Sequence, residues 1–109
     1  MPFLRFKGFE KDFVRNIADR VRKEFASIVD IPEEIVKIEI LHVERITDTP
    51  LSLEIFMFER EPEKHHRIAS CLYRILNEHG YQGVHIFFVF LKPEFYYKFG
   101  KPLVEHVKT

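Results

Sequence analysis

Cysteine occurs once in this chain, at Cys71, tryptophan is absent, and the four glycines, Gly8, Gly80, Gly83 and Gly100, stand apart from one another. One thiol cannot close an intramolecular disulfide, which fits a reducing compartment. Scattered glycines leave no glycine-rich loop to cradle a phosphate. An excess of charge is missing too: 17 Lys and Arg balance 17 Asp and Glu. Nucleic-acid binding calls for a basic stripe, none is visible, and no nucleic-acid partner is expected. No apolar run is long enough to span a bilayer, and the N-terminus lacks the apolar stretch of a secretory signal. The expectation is a cytoplasmic protein with no membrane partner.

What the chain has in quantity is phenylalanine, twelve of 109 residues, in a composition that is 15% aromatic. A chain of this length is expected to form one domain, 1–109, burying about two-thirds of its unfolded surface. So many rings belong either to a Phe-rich core or to a subunit interface.

Residues 3–7 form a short β-prone run ending at Gly8. Over 10–29, Phe13, Ile17, Val21, Phe25 and Ile28 recur at helical spacing and mark one buried stripe. Arg15–Asp19, Asp19–Lys23 and Arg20–Glu24 fall at i,i+4 on what reads as the solvated face. Asp30-Ile31-Pro32 ends the helix. Val36, Ile38 and Ile40 alternate with Lys37 and Glu39 in a strand that is able to run on to Ile46. A second strand over 51–58 puts Leu53, Ile55 and Met57 on one face and Glu54, Phe56 and Phe58 on the other. Pro62 opens a second helix, whose stripe includes Ile68, Leu72, Ile75 and Leu76 and which Gly80 closes. Residues 84–91, VHIFFVFL, are apolar on both faces, as in a strand covered on both sides. PEFYYKFG, 93–100, reads as a turn or helical stub.

The two halves, about 2–46 and 50–92, echo each other: a shift of 51 lays Ile17 on Ile68 and Ala18 on Ala69. Two right-handed β-α-β units give an α+β fold, a four-stranded mixed sheet with both helices on one face and short C-terminal elements. The other face is left bare. Phe56, Phe58, Phe87, Val89 and Leu91 cannot all point at the helices, because strand side chains alternate. A patch of that size exceeds what soluble monomers expose, so the chain is expected to bury it against copies of itself.

Other constellations carry little. His65 and His66 are adjacent on a helix and diverge by about 100°. Glu63-x-x-His66 is a single copy of a metal-site spacing, and no metal is expected. Cys71 has no neighbouring histidine and reads as a small buried thiol. Phe95, Tyr96, Tyr97 and Phe99 read as an interface, or as a cap over the sheet edge, in preference to a ligand platform.

The opening Met1-Pro2-Phe3-Leu4-Arg5-Phe6, the helix after it, Ile31-Pro32-Glu33-Glu34 and the 36–40 strand resemble the tautomerase superfamily, which includes macrophage migration inhibitory factor. Within it, PFLRFKG and PEFYYKFG are most similar to a bacterial family of unknown function, DUF1904. The resemblance runs the length of the chain. It implies β-α-β repeats assembled as trimers whose sheets line a central barrel, which would bury the bare face. It also implies that an N-terminal proline, here Pro2 freed by removal of Met1, acts as general base or acid on small carbonyl substrates or unsaturated acids. Apolar surroundings disfavour a charged amine and bring its pKa toward the working pH. A chain that keeps Met1 has an amide at Pro2 and no base.

The resemblance places partners less completely. The superfamily's pocket lysine after the first helix falls at Asp30 or Ile31, so that cation is missing. Arg60, after the third strand, is the candidate to replace it, since its fork suits carboxylates. His85 falls at a pocket tyrosine and is the candidate hydrogen-bonding partner; Phe87 replaces an asparagine. No cofactor is implied. The functional expectation is a keto–enol tautomerase or isomerase. The alternatives are a non-catalytic trimeric structural or interaction protein of the same fold, and a ferredoxin-like small-molecule sensor, whose β-α-β-β-α-β order is the same.

Overall fold

In the computed structural model, which describes residues 2–105, two β-α-β units lie side by side. The first is β1 (Phe3–Lys7), α1 (Lys11–Val29) and β2 (Lys37–Leu41); the second is β3 (Ser52–Phe58), α2 (Pro62–Glu78) and β4 (His85–Leu91). A small hairpin, β5 (Tyr97–Lys98) and β6 (Lys101–Pro102), follows. The sheet order is β2-β1-β3-β4, parallel within each unit and antiparallel where β1 meets β3. This is the expected α+β architecture. Because β2 lies directly beside β1, and β4 beside β3, neither unit is split by an intervening strand. That overturns the ferredoxin-like alternative, whose β-α-β units are split.

Local chemistry sets the turns. Gly8 bridges β1 to α1 at φ +87°, a left-handed backbone that calls for glycine, and a Cβ there would displace Leu51 Cδ2, 2.8 Å away. α1 stops at Asp30, which takes the left-handed conformation at φ 59° that Asp tolerates better than most residues. Pro32 then prevents the helix from resuming. α1 turns Val14, Ile17, Val21, Phe25 and Val29 inward, and α2 turns Ile68, Leu72, Ile75 and Leu76. Both stripes close on one side of the sheet over Leu4, Phe6, Leu53, Ile55 and Met57. Each such side chain, fully buried, contributes about 1.5–3 kcal/mol of transfer free energy. At one end Phe9, Phe13 and Tyr81 stack on each other, with ring centres 4.3–6.1 Å apart, and seal the core.

Four details depart from the sequence reading. β2 ends at Leu41, and the chain to Ile46 is exposed coil. The 93–100 segment opens with the expected helical stub, a one-turn 3₁₀ helix over Pro93–Phe95, but then enters the β5–β6 hairpin. The α1 charges cross between helices: Arg20 pairs with Glu78 of α2 at 2.8 Å, and Glu24 accepts from the Cys71 thiol at 2.6 Å. Finally, β4 is an edge strand, and Phe87, Val89 and Phe90 are 43%, 37% and 42% exposed. Within one chain its second cover is missing. Among the described residues no helix is long and apolar enough to cross a membrane.

Candidate functional site

Pro2 is buried at the head of β1. Its carbonyl oxygen accepts a hydrogen bond from the Lys37 N–H at 3.0 Å, which ties the start of β1 to the start of β2. β3 runs antiparallel to β1, so the Pro2 end of the sheet is the end where β3 and β4 finish. There Phe3 stands opposite Phe56, and Phe56 stands beside Val89, all on the face the helices do not cover.

Arg5, two residues along the same face, is the best-anchored charge on it. Its Nε donates to Glu39 Oε1 at 2.7 Å, and its guanidinium carbon lies 5.2 Å from the centre of the Phe56 ring. Phe3, Arg5, Glu39, Phe56 and Leu91 line a hollow of about 240 Å³. A second cation, Lys37, is held at the Pro2 end by donating from Nζ to the Glu34 carbonyl at 3.1 Å. Neither was among the expected site residues. Arg5 alternates with Leu4 and Phe6, so its outward face was readable; the Glu39 that fixes it becomes visible only through the β1–β2 register.

Arg60 is exposed and lies two residues past β3, at the same end of the sheet as Pro2. Its backbone N–H donates to His65 Nε2 at 3.0 Å, and its guanidinium has no hydrogen-bonded or ion-paired partner among the described residues. His85 lies at the other end. It pairs with Ser52, which pairs with Lys7, so it sits five residue steps from the level of Pro2. That separation is about 17 Å along the strands and about 10 Å across them. One chain therefore brings Pro2 and Arg60 to the same edge and leaves His85 apart. Asp30, which with Ile31 is one of the two positions where the resemblance puts the pocket lysine, is exposed at the end of α1.

Two further features lie outside this edge. A groove of about 610 Å³ runs along the free edge of β2 under α1, floored by Val14, Ala18 and Ile38 and flanked by Lys11 and Arg15. Between the helices, burial together with the Glu24 carboxylate raises the Cys71 thiol to about 11, so it stays protonated at neutral pH. Among the described residues no three His, Cys, Asp or Glu side chains converge as metal ligands do.

The model of the family described as Domain of unknown function (DUF1904) matches residues 1–102. A DUF1904 structure from Sebaldella termitidis superposes with a TM-score of 0.83 at 25% identity, over 92% of this chain and 97% of that one. A macrophage migration inhibitory factor-like protein from Entamoeba histolytica superposes at 0.71 and 11% identity, over 92% and 96% of the two chains. Pt0534 inactivated by 2-oxo-3-pentynoate superposes at 0.70 and 10% identity, over 98% of each. The last two are similar in fold. No curated protein matches the sequence.

Proposed function

The chain belongs to the family described as a domain of unknown function (DUF1904), and from that premise we propose that it is a trimeric, tautomerase-like enzyme in which the Pro2 amine, freed by removal of Met1, moves a proton on a small 2-oxo or unsaturated acid. The observation that carries this reading is the burial of Pro2 at the head of β1, beside an uncovered hollow lined by Phe3, Phe56 and Leu91. Apolar walls disfavour the ammonium form of the amine, and the cations of Arg5, farther along β1, and Lys37, on β2, act in the same direction. A base poised near neutrality takes a proton from the carbon next to the substrate carbonyl and returns it at another atom. The developing enolate oxygen needs a positive partner, and the unpaired Arg60 guanidinium at the same edge is suited to the substrate carboxylate. His85 would reach this edge only from a neighbouring copy, which makes the assembled trimer the catalytic unit.

The exposed Asp30 supports a second reading, a non-catalytic assembly of the same fold, because it leaves the usual pocket cation out. One experiment separates the two. A free prolyl nitrogen adds to the alkyne of 2-oxo-3-pentynoate: the N–C bond forms, one carbon–carbon π bond breaks, and a proton ends on the adjacent carbon. Peptide mapping after incubation is expected to find one reagent per chain on Pro2, and none on the protonated Cys71. Pro2→Ala is expected to slow labelling at least about tenfold, because a less nucleophilic primary amine replaces the secondary amine. An assembled protein that takes up no label supports the non-catalytic reading instead.

A further inference from the structure

We propose that His65 is the positioning residue for Arg60: its neutral ring holds the Arg60 backbone in place, and protonation of the ring lets Arg60 go. This rests on the reading of Arg60 as the group that meets the substrate carboxylate. His65 lies in the first turns of α2, with Glu61 as N-cap and Pro62 as first helical residue. Arg60 and His65 therefore occupy the N′ and N4 positions, where an apolar pair often staples the entering chain to a helix. Here the pair is polar. The Arg60 N–H donates to His65 Nε2 at 3.0 Å, which requires a lone pair on that nitrogen and places the ring proton on Nδ1.

The ring is also fixed from the sheet side. Its centre lies 5.1 Å from that of Phe88 and 4.6 Å from that of Phe90, with ring planes inclined at 45° and 35°. Those two rings are themselves stacked, 5.9 Å apart. A half-buried imidazole wedged on two phenylalanines has little freedom to swing away, so the backbone of Arg60 is anchored while its side chain stays unpaired. An imidazolium carries a hydrogen on both nitrogens and cannot accept that bond. The charged groups near the ring are Glu61, Lys64 and Arg60: the Glu61 carboxyl is held below its ordinary range by its own backbone N–H, then by Lys64, with smaller effects of Arg60 and His65. From β4 the ring meets Phe88 and Phe90, which carry no charge.

The test uses amide hydrogen exchange and ring titration by NMR on the full chain, followed by 2-oxo-3-pentynoate labelling. His65→Phe keeps an aromatic wedge without an acceptor; His65→Gln keeps an acceptor that does not titrate. His65→Phe is expected to speed exchange of the Arg60 amide on the order of tenfold, with the α2 core amides of Leu72 and Ile75 unchanged. In the wild type, protection of the Arg60 amide is expected to fall with the same midpoint as the His65 ring titration, and in His65→Gln to be independent of pH over that range. In labelling, His65→Phe is expected to raise the half-saturating reagent concentration severalfold and leave the maximal rate unchanged, with His65→Gln restoring it. An Arg60 amide equally protected in wild type and His65→Phe, or indifferent to ring protonation, overturns the proposal. An amide that responds as expected in a wild-type protein that takes no label leaves the latch standing and removes the function proposed for Arg60.

Discussion

Ile55 and Phe56 are adjacent in β3 and point to opposite faces of one sheet. Ile55 is fully buried under the helices, together with Leu4, Phe6 and Leu53, each at most 1% exposed. Phe56 looks the other way, into a surface shared with Phe87 and Val89, which remain about two-fifths exposed. That surface is not uniform. Its β3–β4 half is aromatic and aliphatic toward the Pro2 end, with Glu54 and His85 toward the other end, and its β1–β2 half carries the Arg5–Glu39 pair with Lys7 and Lys37. The covered face accounts for why the chain folds. The uncovered face, largely apolar on one side and charged on the other, is the face to which the proposed function assigns association and a ligand.

Substitutions on the two faces are expected to separate folding from assembly. The largest effect belongs to the covered face: Ile55→Ala is expected to cost about 2–5 kcal/mol in urea unfolding, because the tightly packed site cannot fully collapse around the lost atoms. Val89→Asp places a charge on the uncovered face. It is expected to weaken self-association at least about a hundredfold, equivalent to about 2.7 kcal/mol, by sedimentation velocity, with helical circular dichroism retained. Glu39→Gln removes one member of a partly exposed ion pair and is expected to cost only about 0.2–1 kcal/mol in the same unfolding assay.

A further effect lies between the helices and appears only at alkaline pH. The Cys71 thiol is raised from 9.0 to about 11 in the folded protein. Between those values the unfolded chain loses a proton that the folded chain keeps, so stability falls as pH rises from about 9 toward 11. Cys71→Ser is expected to abolish this slope in unfolding curves measured across that interval.

How much of this was legible in the sequence follows from how local each cause is. The parity of β3, the α1 stop at Asp30-Ile31-Pro32 and the inward stripes of both helices depend on near neighbours, and each was readable. Partners distant in sequence were not. Arg20 and Glu24 are one helical turn apart in α1, yet they meet Glu78, Cys71 and Arg74 of α2. The importance of Arg5 depends on a strand pairing that puts Glu39 beside it. His85 and Pro2 became comparable only once β4 had a register against β3. VHIFFVFL has the composition of a doubly covered strand, yet β4 lies at the sheet edge with Phe87, Val89 and Phe90 partly exposed, an arrangement that depends on the whole sheet and not on the run itself.

Native mass spectrometry of the protein expressed with its natural start, read together with the mass of the dissociated subunit, tests the central claim most directly. The account predicts three copies per particle, each lacking Met1, so that a free prolyl amine stands at the head of every β1. A monomeric particle would contradict the role given to the uncovered face, and subunits that keep Met1 would contradict the catalytic role given to Pro2.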